Sequence, residues 1–339
     1  MPIKIAINGF GRIGQAAFKI AIEKPELEIV AINGLAPMEM TAQLFKHDSV
    51  YGNYPKPVSA EGEEYLVVDG KKYRKFSEKD PSLLPWKDLG IDVVLECTGK
   101  FIKKEDAVLH LKAGAKRVII SAPAKGDDVP TYVIGVNQNQ MNHSTDTVVS
   151  NASCTTNCIA ALMKVIDEVY GIDKALMTTI HSYTADQNLV DGAHKKDIRR
   201  ARAAALNMVP TSTGAAKAVG LVVPTMKGIF DGLAIRVPVP CGSLSDITIV
   251  LKKNTTKEEL NNVFINAEQK PEYKGIITTT TDPIVSSDVV GNPASTIVDL
   301  ALTKVIGGNL VKIIAWYDNE WGYSNRLVEQ ALEVGREIK

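Results

Sequence analysis

Apolar and β-branched residues alternate over residues 3–7, the two-residue period of a strand, and the chain then enters Gly9-Phe10-Gly11-Arg12-Ile13-Gly14. The period becomes helical over 13–22, and a second apolar run of strand length follows over 27–32. Residues 91–96 and 117–121 predict two more short buried strands, with a helix over 105–113 between them. Strands alternating with helices imply a parallel sheet with crossover helices, which covers about the first 150 residues. The character then changes. A strong helical period over 153–169 leads into a strand over 175–181, and 199–210 is basic, rich in small residues and fits neither period. Residues 232–239, 245–252 and 311–317 predict longer strands of a second sheet, and 324–338 a closing amphipathic helix. The change of pattern puts a domain boundary near Asn151.

Composition narrows the functional classes. The chain has 339 residues, with Lys plus Arg and Asp plus Glu numbering 39 each. That balance speaks against coating nucleic acid and against a polybasic membrane anchor. No apolar run approaches the roughly 18 residues of a membrane span, and no secretory pattern stands at the N-terminus, so a cytoplasmic protein is expected. Four cysteines do not make a disulfide framework, and all four are expected as reduced thiols. Cys154 and Cys158 lack the second Cys/His pair of a zinc site, so no metal is expected.

Gly9, Gly11 and Gly14 have the spacing that lets a strand turn tightly into a helix while the backbone approaches a pyrophosphate. The alternative is a glycine-rich turn without a ligand, but the strand before and helix after favour the dinucleotide reading. Such a site usually has an acid at the end of the second strand to bind the adenosine ribose. Here that position is Gly34, after Asn33. Ser153-Cys154-Thr155-Thr156-Asn157-Cys158 sits where a loop meets a helix, with Ser153 as N-cap. A thiol on the first helical turn feels the positive end of the dipole, which favours the thiolate a covalent nucleophile needs. His181, at the end of the next strand, is the base that could serve it. On motif content alone, Cys154 as a small buried hydrophobe and His181 as a core histidine remain open.

Those residues are part of a wider likeness. Ser150-Asn151-Ala152-Ser153-Cys154-Thr155-Thr156-Asn157 resembles the glyceraldehyde-3-phosphate dehydrogenase family, as do Ile7 to Gly14 and His181-Ser182-Tyr183-Thr184. So do Arg199-Arg200-Ala201-Arg202-Ala203-Ala204 and the run from Trp316 to Tyr323. The match runs end to end. It implies an α/β fold: an N-terminal Rossmann dinucleotide-binding domain over 1–152, completed by a C-terminal helix over 319–339, plus an α+β catalytic domain over 153–318 with a mixed or antiparallel sheet. It also implies a phosphorylating enzyme that oxidises glyceraldehyde 3-phosphate to the acyl phosphate through a Cys154 thiohemiacetal and thioester, with His181 as acid–base, in glycolysis and gluconeogenesis. By the same resemblance, Thr184 and Arg236 hold the substrate phosphate. Ser153, Thr155, Thr213 and Gly214 hold inorganic phosphate, with Arg199 or Arg200 nearby. Gly9, Gly11, Arg12, Ile13, Gly14, Gly34, Lys79, Thr98, Ser121 and Asn319 serve the cofactor, Asn319 gripping the carboxamide. A homotetramer is implied, with residues 184–202 reaching a neighbouring subunit.

The departures from the family pattern bear on the cofactor. Gly34 stands where NAD-specific members carry an aspartate, and Gly192-Ala193 replaces a common Leu-Pro pair. Together they predict use of both NAD and NADP, leaning to NADP, with Lys79 or Lys195 near the extra phosphate. Cys241-Gly242-Ser243 stands where many members have Asn-Val-Ser. Three rivals compete with the main reading. Erythrose-4-phosphate dehydrogenase shares fold and cysteine, but its relatives tend to lack the anion cluster of Thr184, Thr213 and Gly214. A semialdehyde or acyl-phosphate reductase would share less of the motif set. A catalytically silent binding or redox-sensing relative would have lost Cys154, His181 or a phosphate ligand, and none is missing.

Overall fold

The computed structural model describes residues 1–338. The chain begins β1 (Ile3–Asn8), α1 (Arg12–Ala21), β2 (Leu27–Asn33), α2 (Met38–Lys46) and the two-residue strands β3 (His47–Asp48) and β4 (Gly52–Asn53). Next come β5 (Val58–Glu61), β6 (Tyr65–Val68), β7 (Lys71–Phe76), α3 (Trp86–Leu89), β8 (Val93–Glu96), α4 (Lys104–Lys112), β9 (Arg117–Ile120) and β10 (Val148–Ser150). The second half runs α5 (Cys154–Tyr170), β11 (Ile172–Ser182), β12 (Val209–Ser212), α6 (Ala215–Val222), β13 (Phe230–Val237), β14 (Ser243–Leu251) and α7 (Lys257–Glu268). It closes with β15 (Ile277–Thr280), β16 (Thr296–Asp299), β17 (Lys304–Ile306), β18 (Leu310–Tyr317) and α8 (Trp321–Arg336). Two compact units result. Among the described residues, the first comprises 1–132, 138–152 and 324–338, and the second 133–137 and 153–323.

The first unit is built on an eight-stranded sheet of order β10-β9-β8-β1-β2-β7-β6-β5. The pairs from β10 to β7 are parallel, and β7-β6-β5 turn back as an antiparallel edge. β1 and β8 read as almost continuous apolar runs because helices cover both faces of the sheet. The antiparallel edge is absent from the hydrophobic pattern. β7 is Lys-Lys-Tyr-Arg-Lys-Phe, in which only Tyr73 and Lys75 are buried, so charge masks its alternation.

The second unit carries a mixed sheet of order β12-β13-β11-β14-β18-β16-β15, with β17 on β18. β14 alternates buried and half-buried residues without a break, the signature of a strand covered on one face. α5 covers the sheet with a buried stripe that includes Cys158, Leu162 and Ile166. Residues 199–208 are mainly turns tied by Asp191 and Asp197, which accept from the backbone of Ala203, Arg199 and Arg200. Side-chain tethers rather than a period hold this stretch, which is why it matched no element.

Candidate active site

In the second unit, α5 opens at Cys154 with Ser153 as N-cap, its Oγ accepting from the Thr156 amide at 3.1 Å. Such a cap stabilises a helix start by about 1 kcal/mol. Just before it, Ala152 has a φ of 56°, left-handed space that costs a non-glycine residue about 1–2 kcal/mol. β11 delivers His181 so that Nε2 lies 3.4 Å from the Cys154 sulfur. Nδ1 lies 2.8 Å from the Ser182 carbonyl, which can only accept. Arg236 Nη1 also lies 3.1 Å from Nδ1, but its two hydrogens go to the Ser182 carbonyl and the Thr184 hydroxyl, so the ring proton sits on Nδ1 and Nε2 presents a lone pair to the thiol. Burial, then the Arg236 guanidinium, pull the His181 ring down to about 3. Burial likewise raises the Cys154 thiol, opposed by Arg236. Burial thus works against the helix-start dipole at this thiol, and the His181 imidazole is the group placed to take its proton.

Arg236, on β13 beside β11, donates to the Ser182 carbonyl at 3.0 Å and to the Thr184 hydroxyl at 3.1 Å. Its buried Nε has no acceptor among the described residues. Thr184 donates in turn to Asp186, which pairs with Arg200. Burial pushes the Asp186 carboxyl up, but the Thr184 hydroxyl and Arg200 outweigh it and hold the group below its usual range. An incompletely satisfied guanidinium beside a hydroxyl suits a phosphate oxyanion. Arg200 is already committed: it bonds Thr211 at 2.9 Å and also pairs with Asp197. Arg199 is exposed and so is the freer of the two.

Thr155 is tied into the interior of the unit. Thr179 donates to the Leu244 carbonyl at 3.2 Å, so Tyr317 must donate to Thr179 at 2.8 Å, and Thr155 to Tyr317 at 2.9 Å. This relay turns the buried Thr155 proton inward. The Thr155 hydroxyl is thereby engaged with Tyr317. Ser153 is half-buried, and Thr213 and the open Gly214 sit at the start of α6, where backbone N–H groups favour an anion.

Asn319 follows β18. Its Oδ1 accepts from Ser182 Oγ at 2.9 Å, Ser243 Oγ at 3.0 Å and the Gly242 amide at 3.2 Å. Three donors fix which end of the amide is oxygen. This accounts for Cys241-Gly242-Ser243. Gly242 has a φ of 89°, and a Cβ there would stand 2.2 Å from the Ser286 carbonyl oxygen. The buried Cys241 thiol donates to Asp318 at 3.2 Å.

The first unit holds the other predicted residues. Gly9 has a φ of 93°, and a Cβ on it would lie 2.6 Å from the Thr98 amide nitrogen, so only glycine fits. Gly14 allows α1 to close on the Gly9 carbonyl, and Gly11 faces open space. Gly11 gives α1 no side-chain cap, which leaves the first N–H groups for an anion. Arg12 pairs with Asp48 on one side of this helix start, Ile13 is half-buried behind it, and Ser121 follows β9, its amide bonded to the Glu96 carbonyl. A cleft of about 460 Å³ brings Gly9, Gly11, Gly34, Lys79 and Thr98 together with Lys100. Sequence reasoning missed Lys100, Tyr317 and Asp186. Asp186 lies only two residues beyond Thr184, but a lone carboxylate in a loop carries no spacing signal.

Comparison with known proteins bears on these sites. The chain matches the family model for the glyceraldehyde 3-phosphate dehydrogenase NAD binding domain over residues 3–104 and that for its C-terminal domain over 153–319. It is 51% identical to a glyceraldehyde-3-phosphate dehydrogenase of Streptomyces coelicolor, with all of both chains covered. A Mycobacterium avium glyceraldehyde-3-phosphate dehydrogenase is 51% identical over the full length of both chains. A chloroplastic glyceraldehyde-3-phosphate dehydrogenase of Arabidopsis thaliana is 50% identical over 97% of this chain and 83% of its own.

Proposed function

The chain belongs to the glyceraldehyde-3-phosphate dehydrogenase family, and on that premise we propose how its own residues carry the NAD-dependent, phosphorylating oxidation of glyceraldehyde 3-phosphate. The observation that carries the reading is the Cys154 sulfur 3.4 Å from an imidazole nitrogen whose lone pair faces it. Arg236 and Thr184 take the substrate phosphate. His181 Nε2 accepts the thiol proton as the sulfur bonds to the aldehyde carbon, and returns it to the carbonyl oxygen, giving a thiohemiacetal. The same nitrogen takes the hydroxyl proton back in the oxidation step, which leaves a thioester on Cys154. NAD supplies the hydride acceptor for that step. An inorganic phosphate oxygen, held by Ser153, Thr213, Gly214 and Arg199, then attacks the thioester carbon. The carbon–sulfur bond breaks, and Cys154 leaves as thiolate. Gly9, Gly11 and the uncapped start of α1 fit a pyrophosphate, and Asn319, its oxygen fixed by three donors, turns its NH₂ end to a carboxamide.

Use of NADP beside NAD is part of this proposal. Gly34 offers no carboxylate to repel a 2′-phosphate, and Lys79 and Lys100 line the same cleft. Its acid, Glu78, is turned onto the Lys79 and Asp80 amides at 2.7 and 3.0 Å. A homotetramer is also proposed. Leu189, Val190, Ile198, Leu206 and Met208 are exposed along one loop region, an apolar surface that a neighbouring subunit would cover. No helix among the described residues is long and apolar enough to cross a membrane, and a cytoplasmic enzyme is proposed. Steady-state kinetics with and without inorganic phosphate tests the reaction. Turnover should collapse without phosphate, whereas undiminished turnover would mean a hydrolytic dehydrogenase.

A further inference from the structure

Beneath the first unit's cleft, the ends of β1, β2 and β8 meet in a buried polar network that none of the steps above uses. Its hub is Glu96, which is 1% exposed. Oε2 accepts from Asn8 Nδ2 and from His110 Nε2, the latter at 3.1 Å. Oε1 accepts from the Thr98 amide at 2.7 Å and from the Thr98 hydroxyl. Trp86 donates its indole N–H to His110 Nδ1 at 3.0 Å, so the ring proton sits on Nε2 and points at Glu96. Asn8 Oδ1 accepts from Asn33 Nδ2 at 2.7 Å. The Asn33 amide also donates to the Glu78 carbonyl and accepts from the Glu78 amide, both at 2.9 Å.

These bonds end on three turns: 33–34, 78–79 and 97–98. The same turns supply Asn33, Gly34, Glu78, Lys79, Cys97 and Thr98 to the cleft wall. A buried carboxylate is costly for stability alone, and apolar side chains of similar size usually serve a fold as well. A closed set of donors drawn from several elements instead fixes one geometry. We propose that Glu96 is a positioning residue for the dinucleotide, its buried carboxylate holding these three turns in the shape that binds the adenosine end. The proposal rests on the reading of this cleft as the adenosine site.

Glu96→Gln keeps the shape but brings an NH₂ group where four donors converge, so at least one turn loses its acceptor. Calorimetric Kd and steady-state KM for NAD should each rise about tenfold or more, the scale of one lost bond to a charged acceptor. The KM for glyceraldehyde 3-phosphate and kcat at saturating NAD should stay within about twofold, because the variant touches only cofactor binding. A merely structural role would lower Tm and leave Kd on the folded enzyme unchanged, and that result overturns the proposal. If Glu96→Gln does not fold, Asn8→Ser cuts the link from Glu96 to Asn33 without removing the carboxylate. It should raise Kd in the same direction, and an unchanged Kd again overturns the proposal. Gly34→Asp separates the two levels. If it alters the cofactor preference while folded Glu96→Gln binds NAD normally, the hub role fails and the cleft stands. If neither variant changes cofactor binding, the cleft assignment fails and the hub role falls with it.

Discussion

The two units bury charge in opposite ways. In the first, the Glu96 carboxylate is met by four donors and fully satisfied. In the second, the buried Nε of the Arg236 guanidinium has no acceptor among the described residues, and the group lies beside the His181 imidazole. A closed network specifies a shape, whereas an open one calls for a ligand to complete it. The difference separates scaffold from chemistry. Loss of the reacting atom should abolish the reaction, loss of a proton acceptor should slow it, and changes around the cleft should redistribute cofactor affinity.

The sharpest break is Cys154→Ser. A hydroxyl at this position is a far weaker nucleophile near neutral pH, and turnover should fall to background in a steady-state assay. Wild-type activity in that variant would refute covalent catalysis. His181→Asn is the next step down, because the sulfur stays but its proton acceptor goes. Acylation measured in a single turnover should slow by roughly 10²–10⁴-fold. The same variant bears on acid stability. The folded ring takes a proton only near pH 3, while the unfolded ring does so near 6.5. Between those values the unfolded chain binds more protons, so stability falls as pH drops from about 6.5 towards 3. His181→Asn should flatten that part of the curve by up to about one proton in denaturant midpoints followed from about pH 7 to about pH 4.5. An unchanged slope would mean that the ring titrates alike in the folded and unfolded chains.

Much of the second unit's site was legible because its residues lie in short contiguous motifs. Ser153-Cys154 announces a cap followed by a first-turn thiol, and the strand over 175–181 delivers His181 at its end. The inward relay from Thr155 through Tyr317 and Thr179 was not legible, since it joins residues 162 positions apart and its direction depends on a single carbonyl. The Glu96 hub was hidden for the same reason: Asn8 and Glu96 are 88 residues apart, and each alone looks like a strand end. On β7, Lys71 and Lys75 share the face of the buried Tyr73, so charge hid the alternation of this edge. At the thiol, the helix start is visible in sequence, whereas the desolvation that opposes it is not.

The smallest effect concerns the position that sequence flagged first. Gly34 lines the cleft with Lys79, Lys100 and Glu78; position 34 itself puts no negative side chain against a 2′-phosphate, and the Glu78 carboxylate is turned onto the Lys79 and Asp80 amides. Gly34→Asp would restore a carboxylate. Two like charges about 4–5 Å apart near a protein surface repel by a few kcal/mol at an effective dielectric of 20. The backbone tolerates the change in part. Gly34 is not in left-handed space, but its new Cβ would lie 3.3 Å from the Phe10 Cβ, a contact that requires a small shift. Some general loss of affinity is therefore expected for both cofactors, and the informative quantity is the ratio of their kcat/KM values. In the wild type that ratio should favour NADP or lie near parity, and Gly34→Asp should move it towards NAD by at least about tenfold, equivalent to about 1.4 kcal/mol. A wild-type preference for NAD beyond about a hundredfold, nearly 3 kcal/mol, would defeat the NADP reading. The lysines would then be a solvated rim, and the missing aspartate would cost only ribose contacts. Lys79→Ala decides which lysine carries the preference. If Lys79 meets the phosphate, this variant lowers kcat/KM for NADP and leaves NAD unchanged; if Lys100 does, both values hold.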